Sequence, residues 1–199
     1  MKGWVAKSAL LASAVAGLCA TGIAVSASAG ERNSRSSVTR AERFATPAPH
    51  SHSTDAIERR LLASHNRERR RLGLAPLKWN RNLEREAGEW ARVLARRGVL
   101  QHADSHIRNG TGENLWMGTA GAWDVDGMVG MFLDERRHYR HDAFPNISRT
   151  GNWADVGHYT QIVWRDTREV GCAVHTARGN DFLVCRYWPA GNVWGARAY

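Results

Sequence analysis

The sequence predicts an α+β fold, with helical segments first and short strands after them. Three stretches between residues 55 and 135 carry apolar residues at helical spacing, whereas short β-branched and aromatic runs follow Gly157. Helices and strands that are segregated along a chain are typical of domains in which helices pack on a mainly antiparallel sheet. The length of 199 residues fits one such domain with a tail.

The first helix is predicted to begin at Asp55, because Glu58 three residues later completes a capping-box-like start. Leu61 and His65 share one face of this helix, and Gly73 ends it. We expect His65 to be a buried hydrogen-bonding group of the core rather than a ligand.

Two further helices are predicted from their caps and apolar stripes. The second lies between an Asn80 cap and a Gly98 stop, and the third follows an Asp124 cap. Their inward-facing residues are Leu83, Ala87, Trp90, Ala91 and Leu94 in the second, and Val125, Met128, Val129 and Phe132 in the third.

Strands are predicted over residues 158–164, 169–175 and 181–187. The turn signal Arg178-Gly179-Asn180 joins the last two into a hairpin, which places Cys172 directly opposite Cys185 if the hairpin is symmetric. Opposite Cβ atoms lie about 4.5–5.5 Å apart, close to the roughly 3.5–4.5 Å that a disulfide needs. We therefore expect a Cys172–Cys185 disulfide.

The N-terminus predicts export. Lys2 and Lys7 precede an uncharged, largely apolar run from Ser8 to Gly30, and Ala27-Ser28-Ala29 is a small-x-small cleavage site. Residues 1–29 are therefore interpreted as a signal peptide of a secreted, extracellular or periplasmic protein. The alternative is an N-terminal membrane anchor, although Ala, Ser and Gly contribute little insertion energy. Residues 30–54 are predicted to be a disordered linker and residues 55–199 the folded domain.

The formal charge of +9 comes from arginine, because lysine occurs only as Lys2, Lys7 and Lys78. Arginine suits phosphate and carboxylate groups, which makes anionic surface polymers one candidate class of partner. The favoured interpretation is that these arginines are ordinary solvated surface cations. The cations do not alternate with aromatic residues as they do in single-strand-binding proteins. The sequence therefore predicts no specific nucleic-acid partner.

Two histidines and two glutamates stand at unusually polar positions, and they are His102, Glu113, Glu135 and His158. Imidazole and carboxylate groups together can hold Zn²⁺ or a similar divalent ion. The four residues are far apart in the sequence, so spacing alone is weak evidence for a shared site. Signatures of nucleotide binding, of serine hydrolases and of zinc proteases are absent from the sequence.

Four motifs together resemble those of the CAP superfamily, which groups cysteine-rich secretory proteins, antigen 5 and pathogenesis-related 1 proteins. In family order they are His65-Asn66-Arg67-Glu68-Arg69, Gly112-Glu113-Asn114-Leu115, Gly157-His158-Tyr159-Thr160-Gln161-Ile162-Val163-Trp164 and Leu183-Val184-Cys185-Arg186-Tyr187-Trp188-Pro189-Ala190-Gly191-Asn192. The resemblance implies a three-layer α–β–α sandwich with a central antiparallel sheet.

The resemblance also implies that His102, Glu113, Glu135 and His158 converge in one open cleft that binds a divalent cation, with zinc the preferred ion. Glu113 and His158 lie inside matching motifs, and His102 shortly precedes the Gly-Glu-Asn motif. Asp134 is adjacent to Glu135 and competes for its role, but Met128 and Met131 share the face of Glu135.

The family resemblance implies an extracellular binding module rather than an enzyme, with a lipid or sterol as a second ligand. We expect the protein to be a monomer. A metal-dependent hydrolase is the first alternative, in which Glu113 or Glu135 activates a metal-bound water. A structural protein of the cell envelope, held to acidic polymers by its cationic tail, is the second.

Overall fold

The computed structural model describes residues 50–199, so the predicted signal peptide and most of the predicted linker lie outside the described residues. The helices are α1 (His50–Arg71), α2 (Arg81–Arg97), α3 (Ser105–Arg108), α4 (Val125–Asp134) and α5 (Gly157–Ile162). The strands are β1 (Lys78–Trp79), β2 (Gly112–Thr119), β3 (Glu169–Ala177) and β4 (Asn180–Trp188). Two 3₁₀ turns cover Glu135–His138 and Trp153–Asp155.

Helix α1 begins at His50, five residues before the predicted start at Asp55, so the last part of the predicted linker is helical. Proline is excluded from a helix interior, and residues 50–54 after Pro49 contain no proline, so the helix can extend back to His50. Asp55 and Glu58 do not form a capping box. They contact Arg81 at 3.5 Å and 2.7 Å instead.

Helix α2 has the predicted ends. The Asn80 side chain accepts hydrogen bonds from the backbone N–H groups of Asn82 and Leu83, and Gly98 adopts the left-handed conformation with φ 70°. Its stripe of Ala87, Trp90 and other apolar residues is buried. Both boundaries were predictable because capping depends on local chemistry that the sequence shows directly.

The sheet has the order β1-β3-β4-β2. The three long strands are antiparallel, as predicted, and the two-residue β1 pairs parallel with β3. The predicted hairpin register is confirmed: Cys172 pairs with Cys185, and their sulfurs form a disulfide across a Cα–Cα distance of 4.1 Å. Strand β2 was not predicted, because Gly, Glu and Asn at its start have low strand propensity.

The prediction of a strand over residues 158–164 is wrong, because this segment contains helix α5. The Glu135 carboxylate explains the helix: its Oε2 accepts hydrogen bonds from the backbone N–H groups of His158 and Tyr159, both at 3.0 Å. These groups lack partners within a helix, and a negative charge there is favourable. A β-branched and aromatic run therefore folds as a helical turn under a distant carboxylate.

Helices cover both faces of the sheet, so the three-layer α–β–α sandwich is confirmed. On one face, α2 packs on Leu115, Phe182 and Val184. On the other face, α1, α4 and α5 pack on Trp116, Leu183 and neighbouring residues. Among the described residues, none of the helices combines the length and the apolar character that crossing a bilayer requires.

Candidate metal centre

The first half of the candidate site is a pair formed by His102 and Glu113. His102 Nδ1 lies 2.7 Å from Glu113 Oε1, which also accepts the backbone N–H of Ala103 at 3.0 Å. The Glu113 side chain is completely buried, whereas that of His102 is 39% exposed. A carboxylate only accepts, so the neutral imidazole carries its proton on Nδ1 and its lone pair on Nε2.

An arginine lies behind this pair. Arg186 Nη2 forms an ion pair with Glu113 Oε2 at 3.0 Å, and Arg186 Nη1 donates to Thr111 Oγ1 at 3.2 Å. Neither Glu113 Oε2 nor Arg186 Nε has a hydrogen-bond partner. The Nη2–Oε2 contact is therefore an ion pair whose geometry is not that of a hydrogen bond. Burial lowers the pKa of Arg186, and the nearby Glu113 charge opposes that effect. The arginine supplies the counter-charge that lets the carboxylate be buried.

The second half of the site is a pair formed by His158 and Glu135. His158 Nδ1 lies 2.6 Å from Glu135 Oε1, and the imidazole stacks on Phe132 with ring centroids 4.7 Å apart. Both side chains are 19% exposed. Helix α4 ends immediately before Glu135, and Asp134 is exposed, so Glu135 is the carboxylate that contacts the histidine.

A buried chain of hydrogen bonds joins the second pair to the core. Asn114 Nδ2 donates to His158 O at 3.0 Å and to Tyr187 Oη at 3.2 Å. Tyr187 Oη lies 2.8 Å from His65 Nε2, and His65 Nδ1 lies 2.7 Å from Leu61 O. Since a carbonyl accepts, His65 Nδ1 carries the proton, and Tyr187 donates to Nε2. His65 is thus the buried hydrogen-bonding group that was predicted.

The two pairs lie on opposite faces of β2. Glu113 shares its face with Leu115, which packs under α2, whereas Asn114 shares its face with Trp116 on the other side. Within residues 50–199, no three of His102, Glu113, Glu135 and His158 bring ligand atoms within 4.8 Å of one another. Each histidine therefore has its own glutamate partner, and no three of the four residues form a tight ligand group.

The described residues do contain one tight group of metal-ligand types, which is His65 with Cys172 and Cys185. This group cannot act as a thiolate metal site, because the two sulfurs are joined in the disulfide. His65 also has both ring nitrogens in hydrogen bonds.

Sequence reasoning missed Asn114, Arg186 and Tyr187 as parts of the site. All three lay inside the quoted motifs, but without an assigned role. Arg186 had the clearest signal, since an arginine in the middle of an apolar strand needs a buried counter-charge. The sequence could not show which of the acidic residues supplies it.

Comparisons with known proteins agree with this architecture. The family model of CAP, the cysteine-rich secretory protein family, matches residues 62–187. Golgi-associated plant pathogenesis-related protein 1 of Homo sapiens is 34% identical over 134 residues, which cover 67% of this chain and 82% of that protein. Pathogenesis-related protein 1B of Nicotiana tabacum is 35% identical over 152 residues, covering 75% of this chain and 86% of its own length.

Two solved structures share the fold. The crystal structure of NaASP2 with Zn²⁺ has a TM-score of 0.60 at 23% identity, covering 73% of this chain and 85% of that one. The crystal structure of hookworm platelet inhibitor has a TM-score of 0.57 at 18% identity, covering 73% and 75%. The α–β–α sandwich is therefore of the CAP type. The chain belongs to the CAP family, and it is similar to its pathogenesis-related 1 members.

Proposed function

We propose that this chain is a secreted binding protein that holds a divalent cation through His102 and His158. The observation that supports the proposal is the repeated pairing of a partly exposed imidazole with a glutamate at 2.7 Å and 2.6 Å through Nδ1. A carboxylate on one ring nitrogen fixes the tautomer and makes the other nitrogen a stronger metal donor. His102 and His158 each have a glutamate on Nδ1, which leaves Nε2 as the metal-binding nitrogen.

The donor set fits zinc better than magnesium or calcium. Imidazole nitrogen suits Zn²⁺, whereas the harder ions prefer sites built from oxygen. Glu113 Oε2 is ion-paired with Arg186, so the imidazole nitrogens rather than this carboxylate would hold the ion. The family's metal-capable cleft and the Zn²⁺ named with the related NaASP2 structure support the same ion.

The geometry refines the role of the glutamates. The resemblance implies that they are oxygen ligands or hold water, but each already accepts a short bond from its histidine. We infer that Glu113 and Glu135 orient the imidazoles, and that the two histidines are the metal ligands. A bound zinc ion would supply a Lewis-acidic centre for one more donor from a ligand.

A binding role fits this geometry better than hydrolysis. A general base needs a carboxylate that can take a proton from water, but Glu135 accepts from His158 and from two backbone N–H groups. Glu113 is ion-paired to Arg186. Secretion and a lipid or sterol ligand belong to the same proposal. Secretion rests on the signal-peptide pattern of residues 1–29, and the lipid or sterol ligand rests on the family resemblance.

Calorimetric titration of the purified protein with ZnCl₂ tests the metal site. We expect saturable heat with the unchanged protein, and binding weaker by at least about tenfold in His102→Ala and in His158→Ala. Glu113→Gln and Glu135→Gln should weaken binding by roughly 10–100-fold, the range for partners that orient a ligand. His106→Ala is the matched control, since His106 is an exposed histidine of α3. Absence of heat, or equal losses in the control, would refute the metal site.

A further inference from the structure

A cavity lies between the first half of α2 and one end of the sheet, and no member of either His–Glu pair is among its lining residues. Its volume is about 320 Å³, which falls at the lower end of the range of small-ligand pockets. The residues that line it are Asn80, Leu83, Glu86, Asn109, Thr111, Glu169 and Trp188.

An exposed tryptophan and a carboxylate are held side by side in this cavity. Trp188 and Glu169 are direct cross-strand partners at the end of the β3–β4 hairpin, so their side chains share one face of the sheet. Trp188 is 48% exposed, although it ends a strand whose other residues from Asp181 onward are buried. Its indole therefore offers aromatic surface to a ligand at a position fixed by the strand pairing.

The charges of the lining are the opposite of those of the whole chain. The lining contains two carboxylates, Glu86 and Glu169, and no lysine or arginine, in a protein with a formal charge of +9. Glu169 accepts a hydrogen bond from Asn80 Nδ2 at 2.6 Å, and Glu86 lies 3.9 Å from the exposed Arg85. The buried Arg186 is paired with Glu113, and the charge of Glu86 also acts on it.

We propose that this cavity binds an organic ammonium cation. A cation over an aromatic face is attracted by the ring quadrupole, and tryptophan gives the strongest such interaction. Glu86 and Glu169 complement the charge, and Leu83 contacts the alkyl part of the ligand. The ammonium group is either that of a free small molecule or the headgroup of a lipid.

Calorimetry with choline tests the site, because its neutral carbon analogue 3,3-dimethyl-1-butanol has nearly the same shape. We expect saturable choline binding, with the alcohol at least about fivefold weaker, and a loss of about tenfold in Trp188→Leu. Trp188→Phe should retain part of the affinity, and it reports on the site if the leucine variant does not fold. Glu169→Gln and Glu86→Gln should each weaken binding.

Two matched controls keep the site distinct from other surfaces. Trp194→Leu removes a tryptophan that is 72% exposed outside the cavity, and Glu89→Gln removes an exposed carboxylate of the same helix. Neither should change choline binding. Equal binding of the neutral alcohol, or unchanged affinity in Trp188→Phe and Trp188→Leu, would overturn the proposal.

Vesicles of pure phosphatidylcholine separate the two sources of the ammonium group. Binding of vesicles but not of free choline, with loss in the Trp188 variants, assigns the cavity to a lipid headgroup. Binding of choline assigns it to the free cation, and binding of neither overturns the proposal. All of these measurements are made without added zinc, so their outcome does not depend on the zinc site.

Discussion

Replacing His65 should change how the stability of the protein depends on pH. The side chain is fully buried, and desolvation lowers its pKa from 6.5 to about 4, against the hydrogen bond to the backbone of Leu61. As the pH falls, His65 is protonated near pH 6.5 in the unfolded chain but only near pH 4 in the folded protein. The free energy of unfolding therefore falls by about 3 kcal/mol as the pH drops from about 6.5 to about 4. Above pH 6.5 this contribution to stability is fully present.

Urea unfolding of the disulfide-intact protein at several pH values measures this effect. His65→Gln is less stable at pH 7, because the buried bonds to Leu61 O and Tyr187 are disturbed. We expect the gap in unfolding free energy to narrow by about 3 kcal/mol between pH 7 and pH 4. His106→Gln, on the exposed surface, should follow the unchanged protein in parallel. A gap between the protein and His65→Gln that stays constant with pH would refute the reasoning.

Two further changes test the packing of the sheet. Arg186→Met removes the cation of a fully buried ion pair and should cost about 3–5 kcal/mol in urea unfolding, whereas Arg85→Met, at an exposed pair, should cost under about 1 kcal/mol. Equal costs would contradict the buried pairing. In Gly171→Ala the new Cβ would lie 2.6 Å from the Asn80 carbonyl oxygen, so thermal unfolding should report a loss of at least about 1–3 kcal/mol. Gly130→Ala is the control, because open space surrounds this helical glycine, and its free energy of unfolding should rise by up to about 1 kcal/mol. A Gly171→Ala protein as stable as Gly130→Ala would show that α2 can shift to make room for the new Cβ.

The sequence was most informative where structure depends on neighbours in the chain. The Asn80 cap, the Gly98 stop and the turn at Arg178-Gly179-Asn180 are local signals, and each predicted its element correctly. The hairpin register then followed from the turn, and with it the Cys172–Cys185 pairing.

The sequence was misleading where a distant group decides the conformation. The apolar run after Gly157 has the composition of a strand, but the Glu135 carboxylate binds its first backbone N–H groups and stabilises a helix. Strand β2 forms because it pairs along its full length with β4, despite its weak start. In the same way, the candidate histidines were recognisable by motif, but their division into two pairs depends on contacts between layers.

The position of β2 determines which parts of the fold an ion at the candidate site would connect. This strand lies at the edge of the sheet formed by the described residues, and its successive residues Glu113 and Asn114 face opposite helical layers. An ion held by both histidines would therefore add a second link between two layers that Arg81 of α2 already joins through its ion pairs with Asp55 and Glu58 of α1. Loading with zinc should slow amide hydrogen exchange in both layers at once, so that occupancy and resistance to local opening rise together.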